Sequence, residues 1–285
     1  MNRMTLGTAL LAALTLAACT DTATTPPDTP PSTTMTYRQG ARYQYESYQT
    51  EPATDARRDT SARRRTWTLV NTNASVEGRT GVAVYVDSLF TTAGGFVNVT
   101  DSVLIHQQSG TNDVYRFSSL ITEANEVSIV SEVPFLGGLD FGSKWQQEAR
   151  LNSTTGIWRG NELSDTVPNT FNIPLITGFK LAIVDSAVAS SVENVTIGGA
   201  TYAATKSTHH LHLSVTALFG TTFPPPIEVA SSTILRTVWV VPALGTIVKE
   251  HREGKVIQVN YQGQGFTIPI PGYHAELTSV LSAGI

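Results

Sequence analysis

The chain has 285 residues, with 19 basic and 23 acidic side chains giving a formal net charge of −4. That mildly acidic balance excludes a phosphate-backbone binder, so no nucleic-acid partner is expected. A single cysteine excludes an internal disulfide. After the first twenty residues no window holds the ~18 consecutive apolar positions of a membrane-spanning helix.

Residues 1–18 have the layout of a secretory signal: Arg3, an apolar run from Leu6, then the small pair Ala17-Ala18. The run falls short of the ~20 residues needed to cross a hydrocarbon core of about 30 Å. Leu16-Ala17-Ala18-Cys19 follows it directly and resembles the bacterial lipobox. The resemblance implies cleavage before Cys19, acylation of its thiol and new amino group, and a partner in the membrane. Two or three acyl chains anchor stably where one does not. In such proteins an aspartate after the cysteine favours the inner membrane, and Thr20 stands there instead, which implies the outer membrane. Loss of Arg3 leaves 18 basic against 23 acidic side chains in the mature chain, a net charge of −5.

Residues 20–36, TDTATTPPDTPPSTTMT, have no composition from which to build a core and read as a disordered, Pro-stiffened tether. The fold is therefore expected to begin near Tyr37. Residues 57–65, RRDTSARRR, concentrate Arg57, Arg58, Arg63, Arg64 and Arg65 with only Asp59 among them. They are either a solvated loop or a contact for anionic headgroups.

From there the chain reads as β throughout. Segments 65–71, 81–90, 96–106, 113–120, 126–133, 180–188, 210–218, 233–241, 245–251 and 255–261 are short and rich in Val, Ile, Thr and aromatics. Several alternate apolar with polar. Gly- and Pro-containing turns separate them, and Arg252-Glu253-Gly254-Lys255 reads as a hairpin connection between the last two. The expected fold is mostly β, with curved antiparallel sheets. Gly40-Ala-Arg-Tyr-Gln-Tyr-Glu46 and Gly142-Ser-Lys-Trp-Gln-Gln-Glu148 share G-x-[basic]-[aromatic]-Q-x-E. This suggests two related β halves, 37–140 and 141–285.

Segments 133–145, 191–204 and 238–251 resemble a group of bacterial surface lipoproteins of uncharacterised role, with a Trp-bearing opening and a later Pro-x-x-Gly strand turn. Ala243-Leu244 departs from the Gly-Val usual in that turn. The resemblance implies a half-barrel β domain similar to periplasmic lipoprotein carriers, whose curved sheet shields an apolar groove. It implies no catalytic residues.

Chemistry-bearing patterns are few. In THHLHL, His210 and His212 share one strand face, the spacing that presents two imidazoles to zinc, while His209 faces away with Leu211. A zinc-dependent hydrolase needs a third ligand that no spacing supplies, and a solvated strand face explains the pair equally. G-x-S-x-G, S-x-x-K, H-E-x-x-H and Walker patterns are missing. Asp101, Asp113, Asp140 and Asp165 are candidates for carboxylate pairs that only a fold could bring together. Trp67, Trp145, Trp158 and Trp239 suit either a core or a groove for an apolar or glycan ligand. The functional expectation is non-catalytic binding of an apolar or envelope ligand with no cofactor. A zinc hydrolase and an envelope scaffold that binds another protein are the alternatives.

Overall fold

In a computed structural model, residues 32–118, 141–170, 173–220, 225–261 and 263–285 are described. Cys19, the signal segment, strand candidate 126–133 and Asp140 lie outside them. Fifteen strands are described. They are β1 (Arg42–Thr50), β2 (Arg63–Val76), β3 (Arg79–Thr91), β4 (Phe96–Gln107), β5 (Asp113–Ser118), β6 (Lys144–Arg150), β7 (Ile157–Arg159), β8 (Leu163–Pro168), β9 (Ile176–Ile197), β10 (Ala200–Phe219), β11 (Ile227–Val241), β12 (Thr246–Arg252), β13 (Lys255–Tyr261), β14 (Gln264–Ile270) and β15 (Gly272–Ser282). All pairings are antiparallel. One 13-stranded sheet runs β6-β5-β4-β3-β2-β1-β15-β12-β11-β10-β9-β7, with β8 also on β9, and β13–β14 form a second small sheet.

The two ends of that path, β6 and β7, are consecutive in the chain, so the sheet curls into a nearly closed barrel. Side chains complete the seam. Trp158 Nε1 donates to the Gln147 carbonyl at 3.0 Å, and Asn161 Nδ2 donates to the Trp145 carbonyl at 3.0 Å. Gly160 fits there because it lacks a Cβ, which would lie 2.6 Å from Gln146 Oε1 and 3.1 Å from Asp185 Cβ.

Strict alternation makes these strands two-faced. On β10, Ser207, His209, Leu211, Leu213, Val215 and Ala217 are buried, while His210 and His212 are exposed. The interior is layered. At one end Tyr43, Tyr45, Trp67, Tyr85, Val240 and Ile247 form an aromatic-rich cluster. At the other, Phe179, Leu211, Leu213, Val215 and Ile234 pack with Ile257, Val259, Ile268 and Ile270 of the small sheet. A polar belt separates the two.

Two expectations change. Arg252–Lys255 is not a hairpin connection: β12 pairs with β11 and β15, and β13 pairs with β14. The chain leaves the sheet at Gly254, where a Cβ would lie 2.6 Å from the Glu51 carbonyl oxygen, and β15 takes the place beside β12. The repeated motifs each open a strand after a left-handed glycine, Gly40 at φ 78° and Gly142 at φ 60°. Both strands lie in the 13-stranded sheet, β1 near its middle and β6 at one end of its path. Of the aspartates singled out in the sequence, Asp113 is bound by Arg150 at 2.7 Å.

The second concerns the tether. Residues 32–36 are docked on the barrel. Gln107 accepts from the Met35 amide at 2.8 Å and donates to the Thr33 carbonyl at 2.6 Å, and the Thr36 amide donates to the Pro242 carbonyl at 2.8 Å. Met35 is buried in the aromatic cluster. Between Cys19 and Ser32, twelve residues give thirteen steps of about 3.1 Å, a reach of roughly 40 Å. The start of β1, the end of β4 and the end of β15 lie at this tether end. Thr50, Arg63, Phe96 and Arg252 lie at the far end, about 30 Å away along β1.

Candidate functional site

The polar belt is built by single charged residues placed at inward positions of otherwise apolar strands. On β11 the inward series is Ile234, Arg236, Val238, Val240. Its register sets Arg236 opposite His209 of β10 and Arg252 of β12. Arg236 is fully buried and grips two carboxylates: Nε reaches Glu250 at 2.6 Å and Nη2 reaches Glu148 at 2.7 Å. Arg116 closes the ring, with Nε 3.1 Å from Glu148 and Nη1 3.0 Å from Glu250. Two arginines and two glutamates thus balance in a closed four-membered ring that spans β5, β6, β11 and β12.

Burial alone would push both glutamates toward protonation. The arginines outweigh it and hold Glu148 and Glu250 below the ordinary carboxylate range. Burial opposes the Arg236 charge too, and Glu148 with Glu250 reverses the effect, holding its pKa above the ordinary value.

Beside the ring, His209 Nδ1 lies 2.8 Å from Asp185 Oδ2, and its Nε2 lies 3.0 Å from the Glu148 carbonyl oxygen. A carbonyl only accepts, so Nε2 carries a proton and donates it. Trp158 stands edge-on to the imidazole at 5.9 Å. Arg65 makes a second buried pair, its Nε donating to Asp87 at 2.9 Å and its Nη1 to Tyr273 Oη at 2.7 Å. The ion pairs of the belt are closed, although Arg236 Nη1, Asp185 Oδ1 and Ser207 Oγ are buried without a hydrogen-bond partner. Each glutamate lies between two guanidinium groups, and the void beside Arg116 and Glu250, lined by Tyr45, Trp67 and Tyr273, is about 10 Å³. That is room for one water at most, far too little for an acyl chain.

Two hollows lie on the outside of the barrel. A hollow of about 370 Å³ is lined by Glu46, Tyr48, Arg57, Thr196, His274 and Glu276. It adjoins one of about 220 Å³ between the β9 segment Glu193–Ile197 and Val248, Lys249 and Glu276. Tyr48 stacks on His274 at 4.8 Å with Arg57 4.4 Å from its ring, and Lys206 and Lys249 lie 5.2 and 5.5 Å from Trp239. Trp239 Nε1 donates to Glu193. Glu46 pairs with Arg57 at 2.7 Å and Glu276 with Lys249 at 3.4 Å. Hydrogen bonding from His274 and the Lys249 charge outweigh burial and hold Glu276 below the ordinary range. The hollows suit a polar, partly aromatic ligand rather than an acid–base pair.

The sequence candidates fall in different places. His210 and His212 sit together on the exposed outer face of β10, opposite Leu235 and Thr233 of β11. Among the described residues no third His, Cys, Asp or Glu joins them to form a metal-sized group. His210→Ala with His212→Ala is expected to change stability by no more than about 0.5 kcal/mol, as surface replacements do, in urea unfolding. The five arginines do not make one surface. Arg65 is buried on Asp87, Arg57 and Arg58 pair with Glu46, Asp59 and Glu51, and Arg63 and Arg64 are held by backbone carbonyls. All five lie at the far end from the tether. Trp67, Trp145 and Trp158 are buried, and Trp239 contacts Glu193 and Lys249, which line the smaller outer hollow. Sequence reasoning missed Arg116, Glu148, Asp185, His209, Arg236 and Glu250. A charged residue at the inward position of an apolar strand was the available signal, clearest in TILRTVWVV.

No protein-family model matches the chain, and no curated protein does. Among solved structures, a "putative lipoprotein" of Parabacteroides distasonis matches with 11% identity and a TM-score of 0.47, over 87% of this chain and 97% of that one. A "putative exported protein with YmcC-like fold" of Bacteroides fragilis matches with 9% identity and a TM-score of 0.40, over 87% and 99%. At this distance neither likeness extends to function, and the chain stands as a nearly closed antiparallel β barrel with a charged interior belt and a polar outer groove.

Proposed function

We propose that this chain is a bacterial envelope lipoprotein: acylated on Cys19, held by a short spacer, and presenting a barrel that binds an envelope ligand without catalysis. The observation that carries the anchor is Leu16-Ala17-Ala18-Cys19, placed directly between an apolar run and a Thr/Pro segment. Thr20 after the cysteine supports outer-membrane sorting. The outer groove beside Trp239 and Tyr48 supports binding at the barrel's surface, since the belt leaves no acyl-sized space around Arg116 and Glu250. Two carboxylates locked between arginines, away from solvent, favour binding over acid–base chemistry.

Metabolic labelling with a palmitate analogue in a bacterial host tests the anchor. The wild-type chain is expected to carry label and to migrate as a form lacking residues 1–18, and Cys19→Ala to carry none. Label retained by Cys19→Ala would overturn the proposal.

A further inference from the structure

The tether end of the barrel carries a second, smaller cluster. The register of β1 sets Arg42 opposite Ser282 of β15 and Thr68 of β2. Leu281 is the bulged residue between the partners of Arg42 and Tyr43, and Gln39 Nε2 donates to the Val70 carbonyl at 2.6 Å. Arg38, Arg42, Val70 and Leu281 therefore gather where β15, β1 and β2 meet. Val70 is 43% exposed and Leu281 47%, and both arginines are exposed. Neither arginine has an ion pair among the described residues, in contrast to Arg57, Arg58 and Arg65 at the far end. Exposed apolar side chains beside uncommitted guanidinium groups are the composition of a surface that rests on a charged lipid interface.

The chain's own path says which surface covers this patch. Residues 32–36 are fastened to Gln107 and Pro242 at the same end, so the spacer leaves the barrel there. Its reach of roughly 40 Å permits contact with the bilayer but does not compel it. A mature chain of net charge −5 would by itself be repelled by an anionic leaflet. An uncompensated Arg pair on the face that meets the leaflet reverses this locally, each arginine favouring contact about fivefold. The acidic side chains Glu46, four residues along β1, and Asp113, at the start of β5, are held by Arg57 and Arg150 at 2.7 Å each.

We propose that Arg38, Arg42, Val70 and Leu281 form a membrane-facing foot, which seats the barrel end-on against anionic phospholipid and turns the outer groove and the Phe96 hairpin toward the aqueous space. The foot rests on the acylation proposed above.

The test uses the mature acylated protein in vesicles of phosphatidylcholine with or without phosphatidylglycerol. A nitroxide is attached through Leu281→Cys or, at the far end, Phe96→Cys, with Cys19 occupied by lipid. Flotation of the protein with the vesicles is scored first. In anionic vesicles the Leu281 label is expected to lose accessibility to a water-soluble paramagnetic quencher and gain accessibility to oxygen, while the Phe96 label stays in water. The Leu281 shift should vanish in neutral vesicles and with Arg38→Glu/Arg42→Glu. A protein that floats while its Leu281 label remains as water-accessible as the Phe96 label overturns the foot and leaves the anchor standing. A protein that carries no lipid and does not float overturns both.

Discussion

Arg236→Ala is expected to destabilise the barrel by about 3–5 kcal/mol, the cost of leaving a buried charge without its partner. Arg116 alone would then face both Glu148 and Glu250, a net buried charge of −1 where the intact ring sums to zero. Since domains of this kind are stable by only about 5–15 kcal/mol, the loss should be plain in urea unfolding. Replacing all four members together, with Arg116→Met, Glu148→Leu, Arg236→Met and Glu250→Leu, should recover much of it, because a buried ion network is often no better than a well-packed apolar one. Recovery would locate the single-variant cost in electrostatics rather than in lost volume.

The same ring sets an acid limit. Glu148 and Glu250 have folded pKa values depressed below the ordinary 4.5, because the arginines outweigh their desolvation. A depressed carboxylate stabilises the fold fully above its unfolded value and loses that contribution as pH falls toward the folded one. The wild-type urea midpoint should therefore drop below about pH 4.5, and the fourfold variant should show a shallower drop. Equal slopes in the two proteins would contradict the assignment.

Gly245→Ala is the second large expected effect, at about 2–4 kcal/mol. Gly245 ends the turn after β11 at φ +68°, and an added Cβ would lie 2.5 Å from the Thr36 carbonyl oxygen and 3.0 Å from Tyr37 Cδ1. Conformational strain and a backbone clash thus act together, at the position where the segment from the tether is fastened. Amide exchange at residues 33–37 should rise more than in the β9–β10 ladder. Gly78, at φ +77° with open space around it, is the control. Gly78→Ala bears only the strain, about 1 kcal/mol. If the two variants cost the same, the docked segment contributes nothing to the fold.

Much of the β character was legible because inward and outward residues alternate on β2, β3, β10 and β11 in a way composition exposes. β1 and β6 were not read as strands, because polar residues such as Gln44, Ser47, Gln146 and Glu148 interrupt any apolar pattern. Burial of Glu148 depends on Arg116 and Arg236, which are 32 and 88 positions away along the chain. No local window holds that information, and the belt became visible only when the register was known. The same holds for the docked tether end: Met35 stands alone among threonines, and its burial depends on Gln107 and Pro242 binding the segment. The HxH pair was placed correctly on one outward face, but the partner-rich histidine was its neighbour His209, turned inward to Asp185. Arg57 to Arg65 illustrate the reverse: clustered in sequence, they are dispersed by a loop and a strand start, three into ion pairs and Arg63 and Arg64 onto backbone carbonyls.

The central proposal is that the described part of the barrel's interior holds its own charged ring where a cargo would lie, with any ligand bound on the outer surface. Native mass spectrometry of the folded domain, purified without its acyl anchor from a membrane-rich lysate, tests this most directly. The account predicts the mass of the polypeptide alone. A one-to-one lipid adduct that survives gentle desolvation and is lost in Trp67→Ala, a residue lining the inner void, would contradict it.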